Sequence, residues 1–354
     1  MFKKKTKQIR LGDIFIGSDH PVTIQSMTNT KTSDFESTYS QVKQLVDAGC
    51  EIVRLAVPDI ESAKVFSYLK NKGIDVPLVA DIHFDYKIAI ASAESGADKI
   101  RINPGNIGDS DKVKKVSDIC KLKNIPIRVG VNSGSLEKSK IDKFGHVTAR
   151  GLAESALENV RLLEKFDFDN IVVAIKSSDV PTMIAANEVL AESCDYPIHL
   201  GVTEAGTMSR GIVKSAVGIG SLLTRGIGNT IRVSLTADPV NEVIAAKRIL
   251  EYSGHRDSNG VEVVSCPTCG RTNIDLISMC DEFDRRSESE ITYKGKLKVA
   301  IMGCAVNGPG EAREAAIGIA GGIGEALLFK KGEIICKIPE EKAIDVLIDE
   351  INKM

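Results

Sequence analysis

Lys99-Ile100-Arg101-Ile102-Asn103 is followed by the stretch Lys112–Lys123 and then by Ile127-Arg128-Val129-Gly130-Val131. In each short run polar and apolar residues alternate with a period of two, the pattern of a strand whose two faces meet different surroundings. The stretch between them carries apolar residues at helical spacing. Strand, helix, strand is the repeating unit of a parallel sheet. The same beat continues in both directions. Strands are expected at Val22–Gln25, Ile52–Ala56, Leu78–Asp81, Lys99–Asn103, Ile127–Val131, Ile171–Lys176, Ile198–Glu204 and Ile231–Leu235. Amphipathic helices are expected between and after them, the last at Val240–Tyr252. Eight such units predict a (β/α)8 TIM barrel, not an open doubly wound sheet. No G-x-G-x-x-G follows the first strand, and Gly218-Ile219-Gly220 falls inside a helical stretch, so a dinucleotide loop is not expected. Ahead of the barrel, Ile9–Gly17 reads as a short hairpin about Gly12-Asp13.

Composition removes several classes of function. The net charge is −2 over 354 residues, so nothing favours bulk attraction to nucleic acid or to an anionic membrane. Trp is absent and aromatics make up 5%, which argues against stacking platforms for single strands. No apolar run has the length of a membrane span, and the basic start Met1–Gln8 is not followed by the apolar core of a secretion signal. A cytoplasmic protein with free or metal-bound thiols is expected. Cys50, Cys120, Cys194, Cys280 and Cys336 lack partners at ligand spacing and read as small buried hydrophobes.

Barrel enzymes work at the C-terminal ends of their strands. Five cations stand there: Arg54, Arg101, Arg128, Lys176 and Arg232. Asp81, His83, Asn103, Asn132, Glu204 and Ser234 stand among them. Alternation puts Arg128 with Gly130 and Asn132, Arg101 with Asn103, and Arg232 with Ser234, each set facing one way. Such cations repel one another unless an anion sits between them, and guanidinium forks match phosphate oxygens. The pattern predicts a small ligand with more than one phosphate. About one or two of the five are expected to face helices instead and pair with carboxylates there. His83 either bonds the ligand or caps its loop; Glu204 is a candidate proton donor or acceptor.

After Tyr252 the composition turns polar and Gly-rich. The barrel is therefore bounded at residues 1–252, a linker at 253–263 and a small α+β domain at 264–354. This domain holds Cys266-Pro267-Thr268-Cys269-Gly270-Arg271 and Met302-Gly303-Cys304, with Asn307 and Glu311 close behind. Two thiolates at C-x2-C spacing and a third nearby favour zinc or an iron–sulfur cluster. A zinc ribbon usually has a second C-x2-C pair, and a thioredoxin-like pair leaves Cys304 unexplained. A carboxylate as fourth ligand fits a site that does chemistry.

Taken together, these segments resemble the 4-hydroxy-3-methylbut-2-enyl diphosphate synthase family in its bacterial two-domain form. The resemblance runs through PVTIQSMTNT (21–30), VRLAVP (53–58), DIHFD (81–85), KIRINPGN (99–106), RVGVNSGSL (128–136), VVAIKSSD (172–179), GVTEAG (201–206) and RVSLTADP (232–239). It ends with CPTCGR (266–271) and MGCAVNGPGEA (302–312). It implies a [4Fe–4S] cluster held by Cys266, Cys269, Cys304 and Glu311. It implies 2-C-methyl-D-erythritol 2,4-cyclodiphosphate as substrate, opened reductively with loss of water. Substrate-binding roles carry over to Arg54, His83, Arg101, Arg128, Asn132, Lys176, Glu204 and Ser234; Asp81 and Arg232 join them by position. Glu204 is the candidate to protonate or orient the departing hydroxyl, and Asn307 to position substrate or Glu311. One-electron chemistry implies flavodoxin or ferredoxin as donor. The family also implies a homodimer in which the barrel of one chain faces the cluster domain of the other. Two other readings stand beside it. One is a non-redox phosphosugar or pterin barrel enzyme with a zinc-stabilised appendage; the other is an iron–sulfur carrier that is not an enzyme.

Overall fold

The computed structural model describes residues 3–257, 260–304 and 312–354; Asn307 and Glu311 lie outside the described residues. The chain divides into two units, Met1–Arg256 and Asp257–Met354.

The first unit opens with an antiparallel hairpin, β1 (Ile9–Leu11) and β2 (Ile14–Ile16). Its turn uses Gly12 at φ +57°, a conformation that costs glycine little. Eight strands then follow: β3 (Thr23–Met27), β4 (Ile52–Ala56), β5 (Leu78–Asp81), β6 (Lys99–Ile102), β7 (Ile127–Asn132), β8 (Ile171–Lys176), β9 (His199–Leu200) and β10 (Thr230–Ile231). They form one parallel sheet in the order β8-β7-β6-β5-β4-β3-β10-β9. A parallel bridge from Val173 to Ile198 joins β8 to β9 and closes the ring. The fold is the expected barrel.

Alternation along each strand explains the two environments. Ile100 and Ile102, Val129 and Val131, and Val173 and Ile175 belong to the apolar layer between strands and helices. Their neighbours Lys99, Arg101, Arg128 and Lys176 occupy the other face, inside the barrel, and are buried. The hairpin closes the N-terminal end of the barrel: Leu11 packs on Ile52 and Val79, and Ile9 and Ile16 on Val172. Helices start where side chains can satisfy their free amides. Asp34, Asp85, Asp109, Thr148, Asp179 and Asp238 each accept a bond from the first turn of the helix they precede, and such caps contribute about 1 kcal/mol each.

β9 and β10 are shorter than the sequence pattern predicts. Glu204 does not close β9; it sits beyond the strand at φ +51°, in the left-handed region that ends extended structure. Beyond β10, the Leu235 amide donates to Glu242 Oε1 at 3.0 Å instead of to a neighbouring strand. Asn103 also differs from expectation: its side chain accepts from Gly105 N at 3.2 Å and caps the short helix Pro104–Ile107.

Arg256, which donates to Val22 O and pairs with Glu51, belongs to the first unit. Gly260 opens β11, so strand occupies part of the stretch expected as linker. The second unit is a five-stranded sheet: β11 (Gly260–Ser265), β12 (Lys296–Met302), β13 (Ile317–Gly321), β14 (Glu325–Lys330) and β15 (Glu333–Pro339). β11, β12 and β13 run parallel; β14 and β15 are antiparallel additions. Helices Leu276–Glu290 and Ala343–Asn352 pack on the sheet through Met279, Phe283, Leu347 and Ile351. Among the described residues no helix is long and apolar enough to cross a membrane.

Candidate active site

A cavity of about 260 Å³ opens at the C-terminal ends of the barrel strands. Its lining includes all five strand-end cations, Arg54, Arg101, Arg128, Lys176 and Arg232, together with Asp81, His83, Asn132 and Ser234. None of the five is lost to the helical layer. One does bond outward while lining the cavity: Arg232 donates to both carboxylate oxygens of Glu242, at 3.0 and 3.2 Å. Glu204 is exposed, next to Thr203, which lines the cavity.

Asp81 organises the cations. Its Oδ1 accepts from Arg101 Nη1 at 3.0 Å, and its Oδ2 lies 3.4 Å from Arg54 Nε. Burial alone raises a carboxyl group's pKa, but here Arg54 and Arg101 outweigh it and hold Asp81 well below the usual carboxylate range. Arg54 also donates to Met27 Sδ, at 2.9 and 3.2 Å. Burial lowers Arg54 to about 10 despite Asp81, so it stays charged at neutral pH. Lys176 is pushed well below its ordinary value by burial and then by Arg54 and Arg232.

Five basic side chains thus face two carboxylates, Asp81 and Glu242, and the four guanidinium groups alone outnumber these carboxylates by two. Nε and Nη1 of Arg128 and Nε of Arg101 have no hydrogen-bond partner among the described residues. Buried guanidinium donors need acceptors. A small anion with several oxygens supplies them.

Sequence reasoning missed three lining residues, Met27, Ala174 and Thr203; Gly130 carried a signal, the alternation that sets it on one face with Arg128 and Asn132. Glu242 had none, because it reads as an ordinary helix carboxylate. A larger hollow, about 450 Å³, lies between helices Met208–Leu223 and Pro239–Tyr252 and contains none of the strand-end residues.

In the second unit, Cys266 directly follows β11 and Cys304 lies two residues past β12. These strands are neighbours in parallel register, Ser265 opposite Ile301, so both thiols emerge at the same end of the sheet. The Gly303 amide donates to Cys266 Sγ at 3.3 Å. Cys304 is buried, Cys266 half-buried and Cys269 exposed. A backbone hydrogen bond at Arg271, and then its charge, lower the Cys269 thiol and favour the thiolate. Among the described residues no group of three His, Cys, Asp or Glu side chains is placed to hold a metal ion. Burial instead raises Cys50, to about 12, and also raises Cys120, Cys194 and Cys280. Cys336 is exposed.

A barrel with a cationic mouth, followed by a sheet with thiols at its strand ends, defines a two-domain class of barrel proteins. The chain belongs to the GcpE family: the GcpE TIM-barrel domain matches residues 6–247 and the GcpE protein C-terminal domain residues 262–353. Relatives called 4-hydroxy-3-methylbut-2-en-1-yl diphosphate synthase (flavodoxin) are similar over nearly the whole chain. That of Ruminiclostridium cellulolyticum is 55% identical, covering 99% of this chain and 98% of its own. That of Clostridium perfringens is 55% identical, covering 98% of each. Among solved structures, dihydropteroate synthase from Stenotrophomonas maltophilia aligns with a TM-score of 0.51 at 13% identity, over 69% of this chain and 97% of that one. That likeness speaks for the barrel fold alone. The full-length relatives do not favour the zinc-appendage alternative.

Proposed function

We propose that this chain makes the product in its relatives' name, (E)-4-hydroxy-3-methylbut-2-enyl diphosphate, by reductive opening of 2-C-methyl-D-erythritol 2,4-cyclodiphosphate. The cavity, whose cations outnumber its carboxylates, carries this reading. The substrate is a dianion. Opening its ring takes up two electrons and a proton, releases water and leaves a trianionic diphosphate. A site with an excess of guanidinium groups stabilises the charge that develops as the carbon–oxygen bond to phosphate breaks.

In this reading Arg54, Arg101, Arg128, Lys176 and Arg232 bind the diphosphate, and His83, Asn132 and Ser234 orient it. Asp81 holds Arg54 and Arg101 apart and aimed. Glu204 protonates or orients the departing hydroxyl. Cys266, Cys269 and Cys304 with Glu311 would hold a [4Fe–4S] cluster, which supplies single electrons and a Lewis-acidic iron when bound. The donor chemistry suits that group: the Cys266 and Cys304 positions follow adjacent strand ends, and a backbone amide already donates to the Cys266 sulfur. Asn307 positions substrate or Glu311. Flavodoxin or ferredoxin is the electron donor. A homodimer and a cytoplasmic location belong to the same proposal.

The test is to purify the protein without oxygen and measure iron and acid-labile sulfide, then assay the cyclic diphosphate with a one-electron reductant. About four of each per chain, with product formed, is the expected result. Zinc without sulfide, and no product, overturns the reading.

A further inference from the structure

Beneath the cavity the barrel interior stays polar. Lys99 lies two residues before Arg101 on the same face of β6, is fully enclosed, and its Nζ has no hydrogen-bond partner among the described residues. His199, which feels the Lys99 charge, has an unpartnered Nε2, and strand β3 carries further buried polar atoms without partners among the described residues, Thr23 Oγ1 and both side-chain atoms of Gln25. His199 Nδ1 shares a 2.7 Å bond with Thr230 Oγ1, which settles that end of its ring. From below, the apolar hairpin shuts this layer off. Above it on the same face of β6, Arg101 lines the cavity, which places the cavity one side-chain layer above Lys99.

Every carboxylate near Lys99 is engaged elsewhere. Asp98, its chain neighbour, accepts from Lys70 Nζ at 2.6 Å and from Leu78 N at 2.8 Å. Asp81 is held by Arg101 and Arg54. Glu242 is held by Arg232, Ser26 and the Leu235 amide. The other titratable groups facing the barrel interior are Arg54, Arg101, Arg128 and Arg232, the carboxylate Asp81, and Lys176, which burial, Arg54 and Arg232 also push well below its ordinary value; His199 is neutral because burial and Arg128 disfavour its charge. An enclosed ammonium with no hydrogen-bond acceptor, with Arg128 and Arg54 outweighing Asp98 among its charged neighbours, is unfavourable. Burial, then Arg128 and Arg54, accordingly push Lys99 well below its ordinary value.

We propose that Lys99 is a neutral amine in the ligand-free protein and takes up a proton when a diphosphate enters the cavity above it. This rests on the reading of the cavity given above and extends it: the barrel adjusts its positive charge to its ligand. The anion supplies the negative charge that Lys99 lacks, and low-dielectric surroundings make that attraction strong. The proton enters from solvent through the cavity as the amine becomes an ammonium. Binding then weakens as pH rises, by up to about tenfold per pH unit, between the titration points of Lys99 in the free and bound protein.

The experiment is calorimetric titration of the anaerobic holoenzyme, without reductant, with the cyclic diphosphate in buffers of different ionisation enthalpy. This ligand is a good probe because its phosphates have no proton to gain or lose near neutral pH. Uptake of about one proton per ligand in the wild type, lost in Lys99→Met and Lys99→Gln, is the expected result. Binding with no buffer dependence in the wild type overturns the inference alone, whatever the variants do. Uptake that persists in both variants assigns the proton elsewhere and also overturns it. Failure of the cyclic diphosphate to bind overturns the reading of the cavity, and this inference with it.

Discussion

A Cβ atom placed on Gly130 would lie 2.6 Å from Nε of Arg101. The guanidinium of β6 therefore rests on bare backbone of β7, and the missing side chain lets it reach Asp81. Gly201 does the same for Lys176, whose Nζ would lie 2.8 Å from an added Cβ. Gly130→Ala is expected to fold normally but to lift Arg101 off its seat. KM for the cyclic diphosphate should rise about tenfold, equivalent to about 1.4 kcal/mol of binding. Steady-state kinetics with unchanged KM would remove Gly130 from the site.

Asp81 is the sole carboxylate lining the cavity among the described residues, and its two arginines leave it strongly acidic. A depressed folded-state pKa means that its contribution to stability is fully present above the ordinary carboxylate value. It is lost as pH falls through the depressed one. Asp81→Asn should destabilise the barrel by about 3–5 kcal/mol at neutral pH, because it leaves two buried guanidinium groups without their partner. The gap between wild type and variant, measured by urea denaturation, should narrow only below about pH 4. A constant gap across the acid range contradicts the pairing.

Period-two alternation made the cationic mouth legible before any coordinates, because Arg54, Arg101, Arg128, Lys176 and Arg232 each interrupt or close a run of apolar strand residues. The same alternation placed them inside the barrel. What it could not reveal depends on chain segments far apart in sequence. Glu242 reads as a helix residue, yet closure of the ring brings it to Ser26, Arg232 and Leu235. Met27 reads as core and instead receives Arg54. Lys99 sits at the start of a strand, where a lysine ordinarily reaches solvent, and only the hairpin seal makes it an interior group.

Glu204 adopts φ +51° without being glycine, a conformation that costs a residue with a Cβ about 1–2 kcal/mol. Strain retained beside a cavity is a sign of function. Glu204→Gly should therefore stabilise the barrel slightly, seen as a higher thermal midpoint, while turnover falls by about a hundredfold or more. Glu204→Gln separates proton chemistry from shape: it keeps the size and loses the acid. Full activity in both variants would make Glu204 a loop residue only.

Cys304 is buried just past β12, beside the Gly303 amide that donates to Cys266 Sγ. Both residues belong to the second unit, and the barrel has its own apolar core. Replacing one thiol should therefore remove the metal group without unfolding the barrel. Cys304→Ser, purified without oxygen, is expected to lose nearly all its iron and sulfide. The cyclic diphosphate should still bind, since its cations lie on other strands. Glu311→Ala, which leaves three thiolates in place, should keep more iron than Cys304→Ser yet turn over more slowly. If Cys304→Ser retains full iron, Cys304 is not a ligand. If it loses diphosphate binding as well as iron, the two sites are coupled and the barrel cavity is not sufficient for the substrate.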